Sequence, residues 1–389
     1  MKYIKQFQSK SDLYNIYGTN EYASPNIYMN MTDNEIYYDK GDYLICVINT
    51  NGDNTNTTLW TTYNSADVIN KVLFDDVEQD YSSPLNVQDI NDNNDHILKF
   101  KFNNDTLGDN NAPLIMNTYI KSASIPNTYK TLGMNIFLQC NGLKKINIPD
   151  SITTIGSSAL NGCIGLTTLK LGNSVTSIDN WAFYGCTGLT SVTLNNSLLS
   201  IGNSAFERCT SLTSINIPDS ITTIGSSAFA ECTGLTSVTL GNSVSSIGQY
   251  AFKDCTSLTS IIIPNSVTSI ESATFNNCTS LTSVTLGNSL LAIRDYAFSD
   301  CSFLTSINIP NSVTSIGQGT FSNCSSLTSI NIPNSVTSIG QYAFSGCSLT
   351  SIDIPNSVIS IDSLAFSGCI SLNEETKAKI LAINPNCIF

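Results

Sequence analysis

The chain has 389 residues, of which 41% are apolar and only 12% charged, about half the usual charged share of ~25%. Seventeen Lys and Arg against 30 Asp and Glu leave a formal charge of −13, which argues against non-specific binding to nucleic acid or to an anionic membrane. One histidine, His96, excludes multi-histidine metal and triad chemistry, and the sequence has no run of about 18 apolar residues to cross a bilayer.

Residues 1–117 carry 17 acids and 7 lysines, a net charge of −10. The stretch Met1–Lys10 is too polar for a secretory h-region, so synthesis in the cytoplasm without export is expected. Ser11-Asp12-Leu13-Tyr14 reads as a helical start, and strands are predicted at Glu35–Tyr38, Asp42–Ile48, Val72–Phe74 and His96–Phe102, with a turn at Asn51-Gly52-Asp53. A small module over 1–42 and a β domain over 43–117, the latter capping the rest of the chain, are the predicted units. His96 is read as a strand-edge residue, because no motif ties a nucleophile to it. The acid run Asp75–Asp80 lacks the spacing of an EF-hand loop and leaves calcium as a minor alternative.

Three pieces of this segment, Tyr3-Ile4-Lys5-Gln6-Phe7, Ser24-Pro25-Asn26-Ile27 and Asn34-Glu35-Ile36-Tyr37-Tyr38, resemble the short N-terminal module of virion proteins from crAss-like and other gut Bacteroidales phages. The resemblance covers about a tenth of the chain. It implies an attachment element ahead of a displayed domain, with other virion proteins as partners.

Beyond residue 117, cysteines mark an internal repeat. Cys140, Cys163, Cys186, Cys209, Cys232, Cys255, Cys278, Cys301, Cys324 and Cys347 stand 23 residues apart, and Cys369 comes after 22. The slip has a visible cause: Cys347-Ser348-Leu349 is one residue shorter than the Cys-x-x-Leu of most copies. In the copy Leu327–Cys347, Leu327, Ile330 and Ile332 alternate as a strand facing a core, Asn331 faces out, and Pro333 ends the strand for want of an N–H. Asn334-Ser335 makes a corner, Val336 and Ile339 start a second side, Gly340 turns again, and Ala343-Phe344 falls in a short helical or 3₁₀ turn closed by Cys347. One coil cannot bury its apolar set alone, so the coils must stack, about eleven of them over 118–372, with a cap at each end.

The unit Ile309-Pro310-Asn311-Ser312-Val313, through Ile316-Gly317 to Phe321, Cys324 and Leu327, resembles the leucine-rich repeat of the BspA-like bacterial surface-antigen family. The match recurs along about two-thirds of the chain. It implies a leucine-rich-repeat solenoid of parallel strands and short turns, and adhesins or interaction proteins as relatives. Surface members of that family normally carry an export signal, which the start of this chain does not show.

At the C-terminal end, residues 373–389 read as a capping helix, with Asn373 as N-cap, Glu374 and Glu375 in its first turn, Pro385 as its stop, and Leu372, Ile380, Leu381 and Ile383 over the open core.

The thirteen cysteines lack close metal-ligand spacings such as C-x₂-C, and eleven of them share one register with Phe and Leu. They are therefore predicted to form a buried column of small apolar side chains, whose parallel Cβ vectors are poor disulfide geometry. Cys46 and Cys387 lie outside the column and are expected to be more accessible. Outward strand positions hold nearly uniform small polar residues, Thr193, Asn216, Thr239, Thr285, Asn308 and Asn331, interrupted by Lys170, Ile262 and Asp353. Positions around Ala-Phe vary far more, and Trp181, Tyr184, Arg208, Tyr250, Lys253, Arg294 and Tyr296 form the candidate binding surface, against the alternative of drift at solvated sites. The blocks 146–159 and 215–228 are identical and lie 69 residues apart, three repeat lengths, which points to an adjustable repeat number.

These features point to a non-enzymatic displayed or adhesion protein, a phage head or tail fibre among the options. It would meet a protein or glycan on a cell surface, with neither cofactor nor metal and with possible self-association through its N-terminal region. An intracellular protein-binding module and a glycan-acting enzyme are the other readings.

Overall fold

The computed structural model of the protein describes residues 120–389 throughout and, within 1–119, the backbone of eight strands. The readings at Ser11–Tyr14 and Asn51–Asp53, and those on the side chains of Cys46, His96 and the 75–80 acid run, lie outside the described residues.

Strands β1 (Lys5–Gln6), β2 (Ile27–Asn30) and β3 (Glu35–Tyr38) pair antiparallel in the order β1-β3-β2. Next in the chain come β4 (Tyr43–Ile48), β5 (Ile69–Phe74), β6 (Val77–Gln79), β7 (His96–Phe102), β8 (Thr106–Leu107), β9 (Ile120–Ser124), β10 (Thr131–Leu132) and β11 (Lys145–Asn147). A six-stranded sheet runs β11-β9-β4-β7-β5-β6, in which β9 pairs antiparallel with β4 and parallel with β11. The first coil therefore shares a strand with the sheet that precedes it. A second link is the parallel pair β8–β10.

From β9 onward the chain winds as a solenoid with two parallel ladders. One is built from three-residue strands such as Ser214–Asn216, Ser237–Thr239 and Ser283–Thr285, each with an exposed-buried-exposed pattern. The other is built from two-residue strands such as Thr154–Ile155, Ser177–Ile178 and Ser200–Ile201, ending at Ser360–Ile361. Partners lie 23 residues apart, as in Ile224 with Ile247, and 22 apart only across the slip, where Ile339 meets Ile361. The predicted L-x-x-I-x-I strand is thus shorter than its pattern. Leu327 is buried but lies outside the ladder, and the last coils keep only single bridges, Asn308 with Asn331 and Asn331 with Asp353. The prolines just beyond them, Pro310, Pro333 and Pro355, cannot extend the pairing.

The Ala-Phe segment forms the short turn expected of it, of the 3₁₀ type. Its bonds are isolated i→i−3 turns, such as Ala343 N to Gly340 O and Cys347 N to Phe344 O. Two residues per coil take left-handed φ, for example Ser204 at 53° and Arg208 at 62°. These residues break the helical hand and leave alternate N–H groups free to bond the next coil. Ser204, Phe206 and Arg208 donate to the carbonyls of Ser226, Ala228 and Ala230 at 2.8–2.9 Å.

The phenyl rings stack inside. Phe183, Phe206, Phe229, Phe252, Phe275, Phe298, Phe321, Phe344 and Phe366 lie 5.1–5.7 Å apart with planes within 14°.

Helix α1 (Glu374–Ile383) closes the far end. The Asn373 side chain accepts from Thr376 N at 2.8 Å, and Thr376 and Ile380 are buried. Leu381, expected over the core, is instead 37% exposed. One residue is a step of about 100° around a helix, so Leu381 cannot share the face of Ile380.

Candidate functional site

The cysteine column is a fully buried, thiol-bonded seam. From Cys163 to Cys369 each thiol donates to a carbonyl of the coil before it: Cys209 to Phe183 at 3.3 Å, Cys232 to Phe206 at 3.1 Å, Cys324 to Phe298 at 3.1 Å. The slip does not interrupt this, since Cys369 reaches Phe344 O at 3.0 Å. Burial pushes the Cys186 and Cys232 thiols from an ordinary 9.0 up to about 12, which makes them poor nucleophiles and poor metal ligands. Cys387, expected to be accessible, is buried and points at Asp362 O, 3.5 Å away. Among the described residues, no group of three or more His, Cys, Asp or Glu is placed to hold a metal.

Six of the seven residues of the candidate surface fall into two groups, and the seventh, Tyr184, lies under Arg208. The charged ones are engaged within the solenoid. Arg208 pairs with Glu231 in the next coil at 2.9 Å and sits 5.6 Å above the Tyr184 ring. Arg294 pairs back to Glu271 at 3.1 Å, and Lys253 to its neighbour Asp254 at 3.4 Å. These pairs are exposed, and each contributes little to stability.

Trp181, Tyr250 and Tyr296 occupy one register, the residue ahead of Ala-Phe, and remain 47%, 42% and 39% exposed. All three have left-handed φ, at 55°, 60° and 57°. The same register holds Tyr342, φ 56° and 36% exposed, a residue outside the set predicted from sequence. The signal that could have found it is its position 46 residues after Tyr296, the interval that also separates Tyr250 from Tyr296.

The Tyr296 ring leans over the coil after its own. A Cβ on Gly319, 23 residues after Tyr296, would run into the Tyr296 ring, and the Tyr296 hydroxyl accepts a hydrogen bond from Gln318 Nε2 at 2.6 Å. Ser204 and Ala273, 23 residues after Trp181 and Tyr250, are only 8% and 6% exposed, whereas Ser158 and Ser227, which come after no aromatic, are half-buried. Trp181, Tyr250 and Tyr296 are thus followed one coil on by a small residue, whereas Tyr342, across the slip, is followed by the half-buried Leu364.

The opposite ladder presents Thr193, Asn216, Thr239, Thr285, Asn308 and Asn331 to solvent. Threonines at its flank turn back on the protein, as when Thr236 donates to Thr213 O at 2.9 Å. A shallow cleft of about 690 Å³ lies between the last coils and α1, lined by Asn331, Pro333, Asp353 and Lys379 among others, with Lys379 3.6 Å from Asp353. No helix among the described residues is long and apolar enough to cross a membrane.

The repeat matches the model of the BspA type leucine rich repeat region over residues 112–236, 200–325 and 291–388. A leucine-rich repeat protein from Bacteroides ovatus is 34% identical with a TM-score of 0.58, the match covering 61% of each chain. The present chain thus spans about three-fifths of that relative's length. A leucine rich cell surface protein from Faecalibacterium prausnitzii is 28% identical over 69% of this chain and 86% of its own, with a TM-score of 0.37. No curated protein matches the chain. With its repeat matched from residue 112 to residue 388, this chain belongs to the BspA-type leucine-rich repeat family.

Proposed function

We propose that the chain is a non-enzymatic interaction or adhesion protein whose solenoid meets the partner and whose N-terminal part anchors it. The observation that carries this reading is the division of each coil. The interior is committed to packing, with phenyl rings and thiols at or near 0% exposure, while one outer register varies from coil to coil and presents Trp181, Tyr250, Tyr296 and Tyr342. A rod that repeats one buried frame under a variable row of anchors sums weak contacts along its length. The candidate partners are a protein or glycan on a cell surface.

Display on a virion is the finer form of this reading. It rests on the resemblance of residues 2–40 to phage virion modules, and presence of the chain in purified particles tests it.

Removing residues 146–214 in frame joins the two identical blocks and takes out three coils without disturbing the register. Cell-surface binding by the full chain, weakened by this deletion, is the expected result. Unchanged binding would take the solenoid out of the role.

A further inference from the structure

We propose that the row Tyr250, Tyr296 and Tyr342 is a binding platform for a linear, neutral β-1,4-linked glycan of twofold geometry, a glucan or mannan, lying along the solenoid axis. This rests on the interaction reading above and names its ligand class and its face.

The placement of the rings carries the argument. Left-handed φ suits Gly and Asn, and a bulky ring there is an outlier that the surroundings must hold in place. Six other coils hold Asn135, Ser158, Ser204, Ser227, Ala273 and Gly319 at this left-handed position, so the turn itself has no need of an aromatic. Nor does the core, since these rings stay outside it. Tyr296 is held down on the next coil by the space above Gly319 and by the bond from Gln318, which leaves a ring laid on the backbone with its outer side open. Such a ring offers a flat apolar face with a polar tip, suited to the C–H face of a pyranose.

Spacing selects the polymer. Tyr250 to Tyr296 and Tyr296 to Tyr342 are each two coils, and the phenyl rings two residues along the chain from this row are 5.4–5.7 Å apart from one coil to the next. A sugar in an extended β-1,4 chain advances by nearly the same step. In a twofold chain every second sugar turns the same face to one side, so rings two coils apart meet equivalent faces. Gln318 and Gln341, beside the row, provide neutral donors and acceptors for the sugar hydroxyls. Trp181 lies three coils from Tyr250, an odd number, and falls outside this register.

Calorimetric titration of the full chain with cellohexaose and mannohexaose tests the proposal, with α-linked maltohexaose alongside. At least one β-1,4 hexasaccharide should bind and maltohexaose should not. The double variant Tyr250→Asn, Tyr296→Asn should lose about tenfold or more in affinity. Asn favours the left-handed turn, so that variant keeps the fold, which circular dichroism verifies. Ile262→Thr, an exposed position on the other ladder, should bind as the unaltered chain does. Failure of both β-1,4 hexasaccharides to bind, undiminished binding by the double variant, or an equal loss from Ile262→Thr would overturn the platform. Adhesion to cells that survives the double variant and is abolished by protease treatment of the cells would overturn the glycan while leaving the interaction reading in place. A chain that binds neither hexasaccharide nor cells overturns both.

Discussion

The thiol of Cys232 donates to the carbonyl oxygen of Phe206, 3.1 Å away and 26 residues earlier, and the same oxygen accepts the backbone N–H of Cys209 at 3.2 Å. One carbonyl thus joins the turn of its own coil to the side chain of the next. An aliphatic residue at the cysteine position would fill the space and leave this link unmade.

Replacing Cys232 by Ala removes the link and part of a fully buried side chain. The expected loss is about 1–3 kcal/mol, read as a lower midpoint in urea unfolding followed by circular dichroism. A similar substitution at Cys387, whose thiol makes a longer contact of 3.5 Å with Asp362 O, should cost less.

The column also predicts sensitivity to alkali. In the unfolded chain the thiols lose protons above their ordinary 9.0, while folded Cys186 and Cys232 hold theirs to about 12. Between these values the unfolded state binds fewer protons, so stability falls as pH rises, by ~1.4 kcal/mol per pH unit for each such thiol. Below pH 9 both states are protonated and the effect is absent. Unfolding midpoints measured from pH 7 to 11 should be flat and then drop steeply. Native protein at pH 8 should react with a thiol reagent at the column only as fast as it unfolds.

Phe252 sits between Phe229 and Phe275, both at 5.5 Å, with no exposure. Phe252→Ala should cost about 3–5 kcal/mol by opening a cavity in the stack. Phe252→Leu should cost less than about 1.5 kcal/mol, because Leu160 already holds the equivalent place in the coil between Phe137 and Phe183. Thermal unfolding of the two variants separates these values.

Gly319 has φ 56° and lies under the Tyr296 ring. Gly319→Ala is expected to cost about 1–3 kcal/mol from left-handed strain and collision with the ring. In a Tyr296→Asn background the collision disappears and only the backbone part should remain. A double-mutant cycle with additive costs would show that the ring does not lie where the structure puts it.

The periodicity of Cys, Phe, Leu and Ile made the solenoid legible, because every coil must bury the same set against its neighbours and only one register does so. The strands Glu35–Tyr38 and His96–Phe102 were legible for the same reason, as alternation has period two. The short turn at Ala-Phe was legible but its left-handed positions were not, because hand is a backbone property: Ser, Trp, Tyr and Glu take left-handed φ here while the neighbouring coil accepts the N–H groups that this frees. The surface residues were legible as a variable set but not as two kinds. Which of them are spent on neighbours, as Arg208 is on Glu231, and which stay open, as Tyr250 does, depends on side chains 23 residues away brought within bonding distance. Local pattern determined the frame because burial repeats coil by coil. Tertiary stacking decided the outer face, because contacts there run between coils, where sequence neighbours do not meet.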